Sequence, residues 1–322
     1  MSRTTVTRAA MRRDVVISEY VTYSVLYTST IICNKYVLTS LGFQFPTIFQ
    51  AWQTFIGLFL MHAVGGFKVK QMVLRDIGPW VPAMMLYVGT IVSGSIALSK
   101  LPIPMFILGQ GCGDVILLLF NEHMPSTIAM FSFPVKLAAA IIASWSAIQQ
   151  SWYTALLWLI AHAIFSGAYR SVSLWYSTPH WPYSNLTIQQ RQYLNYFFST
   201  CVLLPLIFAF GHHEKAKSFP HLNASRFYIG SICSGIFGWA VNKLWMRLFF
   251  HAASDAKTHA TQLFSKVLIL LISMNIYPYT FSWSIWIGIL LNLIADVLQI
   301  LDSNFDQDLP TGEEMHDVLV SF

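Results

Sequence analysis

The feature that most constrains this chain is a succession of apolar stretches, each about twenty residues long, that repeats from the N-terminal region almost to the end. Twenty residues of α-helix cross a hydrocarbon core of about 30 Å. A β-barrel strand would instead show about ten residues of alternating character. In lipid the backbone must satisfy its own hydrogen bonds, so runs of this length predict helices. Composition agrees: 55% of the residues are hydrophobic and 10% are charged, against about 25% charged in a soluble domain. The expected fold class is an all-α membrane protein of about ten transmembrane helices.

The spans are placed near 17–38, 45–65, 78–98, 102–121, 127–147, 152–176, 190–211, 226–250, 255–276 and 280–301. Residues 1–16 form a basic leader with Arg3, Arg8, Arg12 and Arg13, and no small-residue cleavage site follows it, so the first helix is read as retained. Residues 302–322 carry six carboxylates and no Lys or Arg, which predicts a disordered acidic tail. Lys68, Lys70, Arg75, Arg191 and Lys257 fall on the side of the N-terminus, so both termini are expected in the cytosol. Ten spans also divide into five plus five, 17–147 and 152–301. An inverted pair of that kind would place a cavity at the interface of the halves.

The cysteines Cys33, Cys112, Cys201 and Cys233 all lie in apolar runs without metal-ligand spacing and are read as buried thiols. His212, His213, Glu214 and His221 lack further helical ligands, so no metal or other cofactor is expected. The net charge of +5 is scattered instead of forming a patch, which argues against a nucleic-acid partner. Membrane lipid is the expected surrounding, and pairing of two copies stays open.

Ionisable residues at bilayer depth cost about 2.5 to 3.5 kcal/mol each on insertion scales, so each is a functional candidate. Those inside the spans are Asp114, Lys136, Arg170, Lys243, Lys266 and Asp296, with Lys35 and Arg247 nearer the ends. Cations outnumber carboxylates. Asp114, Lys136 and Asp296 are read as structural ion pairs, and the surplus positive charge calls for a mobile anion. In the ninth span Asp255, His259, Gln262 and Lys266 stack on one helix face, flanked by Thr258, Thr261 and Ser265. That face reads either as a phosphate-binding cavity wall or as a polar helix–helix seam. Tyr27 and Asn34 in the first span are candidate lining residues, Tyr20 and Tyr23 sharing their stripe. Ser231, Gly235, Gly238 and Asn242 in the eighth read chiefly as close helix packing.

The run Asn34-Lys35-Tyr36-Val37-Leu38 followed by Phe45-Pro46-Thr47-Ile48-Phe49-Gln50-Ala51-Trp52-Gln53-Thr54 resembles the first hairpin of nucleotide-sugar transporters of the drug/metabolite transporter superfamily. The likeness is greatest to the transmembrane protein 241-like branch, related to GDP-mannose transporters. It implies ten helices in two inverted five-helix repeats. It also implies exchange of a cytosolic nucleotide sugar for a lumenal nucleoside monophosphate in the Golgi or endoplasmic reticulum membrane. Two motifs carry over in part. Tyr193-Leu194-Asn195-Tyr196 stands where GDP-mannose transporters have Phe-Tyr-Asn-Asn, and Gln262-Leu263-Phe264-Ser265-Lys266 where they have Gly-Ala-Leu-Asn-Lys. The retained lysine implies phosphate binding, while the missing asparagine and glycine make a UDP-sugar such as UDP-N-acetylglucosamine at least as good a cargo as GDP-mannose. The substrate-binding set expected from residues and resemblance together is Lys266, Gln262, Ser265, His259, Asn195, Tyr193, Tyr27, Asn34, Asn242 and Lys243.

Three rivals remain. A permease for another phosphorylated anion, such as triose phosphate, would use the same fold. A transport-incompetent regulator would tolerate the motif departures. Gly111-Cys112-Gly113-Asp114 matches the Gly-x-Gly-Asp element of intramembrane aspartyl proteases, with Asp296 as a possible second carboxylate, but no Tyr-Asp pair and no Pro-Ala-Leu element accompany it.

Two sequons test the orientation: Asn223-Ala224-Ser225 is expected in a lumenal loop and Asn185-Leu186-Thr187 in a cytosolic one. Digestion with an N-glycosidase should shift the mobility of the wild type and leave Asn223→Gln unmoved. A glycan on Asn185 would reverse the orientation.

Overall fold

The computed structural model describes residues 17–64, 74–119, 127–149, 151–176, 186–249, 256–277, 279 and 282–308. The basic leader, Asp255, Asn185 and most of the acidic tail lie outside them. Among the described residues there is no strand, and ten helices have 17 residues or more. They are α1 (Ile17–Lys35), α2 (Pro46–Ala63), α3 (Val81–Lys100), α4 (Ile103–Leu119), α5 (Thr127–Gln149), α6 (Tyr153–Trp175), α7 (Ile188–Ala209), α8 (Ser225–Phe249), α9 (Ala256–Ile276) and α10 (Trp283–Asp308).

Local chemistry sets several ends. Pro46 opens α2, where the missing N–H costs nothing. Thr187 and Gln190 form a reciprocal capping box at the start of α7: the Gln190 backbone N–H donates to the Thr187 hydroxyl at 3.3 Å, and the Thr187 N–H donates to the Gln190 side chain at 2.7 Å. At its C-terminal end α1 loosens into a π-helical turn, Tyr36–Ser40.

Six of these helices are long and apolar enough to cross a membrane by length and composition. The four that fall short, α1, α2, α4 and α8, all contribute residues to an internal cavity. Among them α4 is apolar but short, whereas α1, α2 and α8 bury polar side chains such as Thr28, Gln50 and Ser234, which lower their apolar content. Polarity runs inside out. Trp52, Phe55 and Phe59 of α2, Leu137, Ile141 and Trp145 of α5, and Trp286, Leu290 and Ile294 of α10 face outward, whereas Ser24, Thr28, Gln50, Thr54, Asn195, Ser199, Ser265 and Asn292 are buried. A water-soluble fold would not leave such apolar stripes uncovered. The chain is a multi-pass membrane protein.

The bundle packs α5 on α10, α3 and α4 on α6, α1 on α8 and α9, α2 on α7 and α8, α3 on α7, α4 on α5, and α9 on α10. Two apolar clusters fill one end, where the odd-numbered helices finish. One gathers Leu98, Leu101, Ile103, Met105, Phe106, Ala147, Ala155 and Ile285. The other gathers Val37, Leu38, Leu41, Phe43, Phe49, Phe219 and Phe227. The expectation of four buried thiols is not met: Cys201 is exposed on α7, and Cys33, Cys112 and Cys233 are only half-buried. A small apolar thiol loses nothing by facing lipid, so an apolar run does not imply burial against protein.

Candidate functional site

A cavity of about 230 Å³ lies inside the bundle, with walls from α1, α2, α3, α4, α6, α7 and α8. Its polar lining includes Tyr27, Asn34, Gln50, Gln53, Tyr87, Gln110, His162 and Tyr196, and among the described residues no Asp, Glu, Lys or Arg lines it. The amides are held in place. Gln53 donates to Asn34 Oδ1 at 2.9 Å, Ser234 donates to the same oxygen, and Gln50 donates to the Ser95 hydroxyl. The Tyr27 hydroxyl donates to Gln110 Oε1 at 2.6 Å, tying α1 to α4 across the cavity. Gly238 lines the wall with only Thr30 within 4 Å of where a side chain would begin, while at Gly235 a methyl would meet Ile56 at 2.7 Å. The small residues of α8 thus serve both packing and space.

The charges sit beyond the cavity wall as one chain. Asp114 follows Gln110 by one helical turn on α4, and Arg170 follows His162 by two turns on α6. Arg170 Nη2 donates to Asp114 Oδ1 at 2.7 Å, and Lys136 Nζ donates to Asp114 Oδ2 at 2.8 Å. Lys136 also reaches Asp296 Oδ1 at 2.9 Å and Gln299 Oε1 at 2.8 Å. Lys266 closes the chain on Asp296, at 2.9 Å to Oδ1 and 2.7 Å to Oδ2, with Asn292 Oδ1 at 3.4 Å. Side-chain exposure is graded: 0% for Lys136, 4% for Asp296, 11% for Lys266, 16% for Asp114 and 20% for Arg170. The middle is sealed and the two end cations are the most accessible of their sign. Three cations and two carboxylates leave one positive charge over.

Glycines bring the helices close enough for these contacts. A Cβ on Gly167 would stand 2.6 Å from the Gly113 carbonyl oxygen, so α6 meets α4 backbone to backbone beside the Arg170–Asp114 pair. A Cβ on Gly111 would stand 2.8 Å from Asn292 Nδ2 of α10. The Gly-x-Gly-Asp element is therefore a packing device for two neighbours of α4. Lys136 bridges Asp114 and Asp296, so the two carboxylates converge on an ammonium and do not form the carboxyl pair of an aspartyl protease.

The expected site residues part into three groups. Tyr27 and Asn34 line the cavity. Lys266, Asp114, Lys136 and Asp296 form the charge chain. The others lie elsewhere. Asn195 accepts from the Trp80 indole at 3.1 Å and donates to the Tyr169 hydroxyl at 2.7 Å, holding the start of α3 and the end of α6 to α7. Tyr193 packs with Met61 and Tyr196, and Asn242 donates to the Tyr196 hydroxyl at 3.2 Å, so it supports a lining residue without being one. Lys243 is exposed and lies over the Trp239 ring. On α9 the buried polar residues are Thr258, Thr261, Ser265 and Ser273, with the Ser265 and Ser24 hydroxyls 2.9 Å apart. His259 and Gln262 are half-buried and are not among the cavity residues. The α9 stripe thus combines a seam to α1 with one lysine turned to α10. The Arg247 side chain and Asp255 lie outside the described residues.

Lys35 is buried without a carboxylate partner among the described ion pairs. Its ammonium donates to the carbonyls of Leu98 and Leu101 at 2.9 and 2.8 Å, capping the negative end of α3.

No family model matches the chain. It is 32% identical over 226 residues to the UDP-N-acetylglucosamine transporter TMEM241 homolog of Xenopus laevis, spanning 68% of this chain and 74% of that protein. The chain belongs to the nucleotide-sugar transporter family. A GDP-mannose transporter of Malassezia globosa is 23% identical over 172 residues, 51% of this chain and 34% of that one. A solved crystal structure aligns with a TM-score of 0.55 over 93% of this chain and 98% of its own, at 13% identity, and speaks to the fold alone. These relatives are named as transporters, which supports transport and not catalysis as the role of this family member.

Within the family fold, sequence reasoning passed over Gln50, Gln53, Gln110 and His162 as cavity residues. Gln50, Gln53 and Thr54 recur at helical spacing within an apolar run, the same signal that marked α9. Lys136 is the residue on which the cluster most depends. Replacing it with Met leaves two buried carboxylates short of their shared cation and should lower stability by about 3 to 5 kcal/mol, measured as a fall in the thermal midpoint of the detergent-solubilised protein.

Proposed function

We propose that this family member exchanges a cytosolic nucleotide sugar for a lumenal nucleoside monophosphate across the Golgi membrane, with UDP-N-acetylglucosamine as the first cargo to test. The observation that carries the reading is an uncharged, amide- and tyrosine-lined cavity directly beside a cluster with one surplus positive charge. A nucleotide sugar has the complementary build: two uncharged ring systems joined by a diphosphate. The aromatic and amide walls suit a ring, and the exposed ends of the charge chain, Arg170 and Lys266, suit the phosphates. The names of the relatives favour the same cargo class.

Alternating access is supported by the packing. Exchanging each helix with the one five places later turns α1 on α8 into α6 on α3, α1 on α9 into α6 on α4, and α4 on α5 into α9 on α10. The pairs α2–α7 and α5–α10 map onto themselves. Two inverted five-helix halves would produce this pattern, with the cavity at their interface. With both termini in the cytosol, the end filled by apolar clusters is the lumenal one, and the cavity belongs to a form closed on that side. At about 230 Å³ it is smaller than the roughly 300 to 1,000 Å³ of sites for drug-sized ligands. In this form it holds one ring system of a nucleotide sugar, not the whole molecule.

That size also favours a second reading, a carrier of a small phosphorylated anion such as triose phosphate. Reconstituted vesicles loaded with UMP, GMP or phosphate and offered labelled UDP-N-acetylglucosamine, GDP-mannose or triose phosphate separate the two. Nucleotide-sugar uptake that needs an internal nucleotide supports the first reading; uptake of triose phosphate alone supports the second. Lys266→Ala should cut nucleotide-sugar uptake about tenfold or more, the worth of a lost hydrogen bond from a charged group. Unchanged uptake would remove Lys266 from the phosphate site.

A further inference from the structure

The charge chain crosses the boundary between the two halves twice, and its two crossings differ. Lys136 of α5 to Asp296 of α10 is sealed, with both side chains almost fully buried. Arg170 of α6 to Asp114 of α4 is the most exposed pair in the chain, at 20% and 16%, and stands one turn beyond the cavity residue Gln110. The remaining links, Asp114–Lys136 and Asp296–Lys266, lie within one half each.

We propose that Arg170–Asp114 is the latch between the halves, and that the phosphate of a cargo opens it by taking Arg170 in place of Asp114. The inference rests on the transport reading above. An anion arriving from the cavity meets Arg170 before it meets the sealed Lys136. When Arg170 turns to the ligand, Asp114 is not left alone, because Lys136 still donates to its other oxygen at 2.8 Å. The exchange of partners therefore avoids stranding a buried carboxylate, which is the costly outcome in such a site. With no anion bound, Asp114 recaptures the guanidinium and the halves stay clamped. The empty carrier reorients slowly for that reason, and transport is coupled to return of a second phosphate-bearing molecule. A ligand can bias the two states only through interactions that differ between them, and the released cross-half pair is such an interaction.

The test uses full-length protein in vesicles, with uptake of labelled UDP-N-acetylglucosamine compared between vesicles loaded with UMP and empty vesicles. In Asp114→Asn the loaded-to-empty ratio should fall about tenfold, through a rise in uptake by empty vesicles, and Asp114→Glu should restore it. A merely structural role for Asp114 would lower both uptakes together and leave the ratio unchanged, and that result overturns the latch while the transport reading stands. In the wild type, internal uridine, which lacks the phosphate, should leave uptake at the empty-vesicle level. Uridine as effective as UMP overturns the latch even if Asp114→Asn does not fold. Absence of any nucleotide-dependent uptake by the wild type overturns the transport reading and the latch with it.

Discussion

Everything at the centre of this bundle depends on how Lys136 is satisfied. An ammonium withdrawn from water and lipid alike loses several kcal/mol of hydration, and only excellent geometry returns it. Here two carboxylates and an amide oxygen, from three positions on two neighbouring helices, meet it at 2.8 to 2.9 Å. That requirement fixes α4, α5 and α10 relative to one another. The glycines at 111, 113 and 167 follow from it, because helices carrying larger residues there would stand too far apart for the chain of pairs to close. The end cations, Arg170 and Lys266, are then left partly accessible, with side-chain exposures of 20% and 11%.

Much of this was legible in the sequence, for a reason particular to membranes. Lipid enforces helices of a fixed minimum length, so the ten long helices fall on the ten apolar stretches. It also makes each internal charge stand out, which is how Asp114, Lys136, Lys266 and Asp296 were singled out. What the stripe rule could not give was the partner of each charge. Lys266 read as a phosphate-binding residue on a polar face, and it lies on Asp296 of the next helix, because residues that share a face by spacing can still turn to different neighbours. Asn195 looked like a ligand residue and is a hydrogen-bonded joint between Trp80 and Tyr169, a fact set by tertiary packing alone. The cavity itself was missed for the most part. Its lining is spread over seven helices, one to six residues from each, and amides such as Gln50 and Gln53 are too weakly polar to interrupt an apolar run.

The separation of an uncharged cavity from a charged cluster has a consequence for selectivity. Neutral walls of amides and tyrosines distinguish ring systems by shape and hydrogen bonding, whereas the cations ask only for phosphate. A carrier so divided would accept both members of an exchange, since a nucleotide sugar and its nucleoside monophosphate share the nucleoside and a phosphate and differ in the sugar and the second phosphate. Substitutions among Asn34, Gln50, Gln53 and Gln110 are then the places where cargo preference would change without loss of coupling.

The central claim is that cargo enters this cavity. A single cysteine at Thr30 on the cavity wall, in a protein whose four native cysteines are replaced, reports on it directly through its rate of alkylation. Saturating UDP-N-acetylglucosamine should slow that labelling several-fold, and free N-acetylglucosamine, which lacks the phosphates, should not. An alkylation rate unaffected by the nucleotide sugar at concentrations that saturate uptake would place the cargo elsewhere and contradict the account.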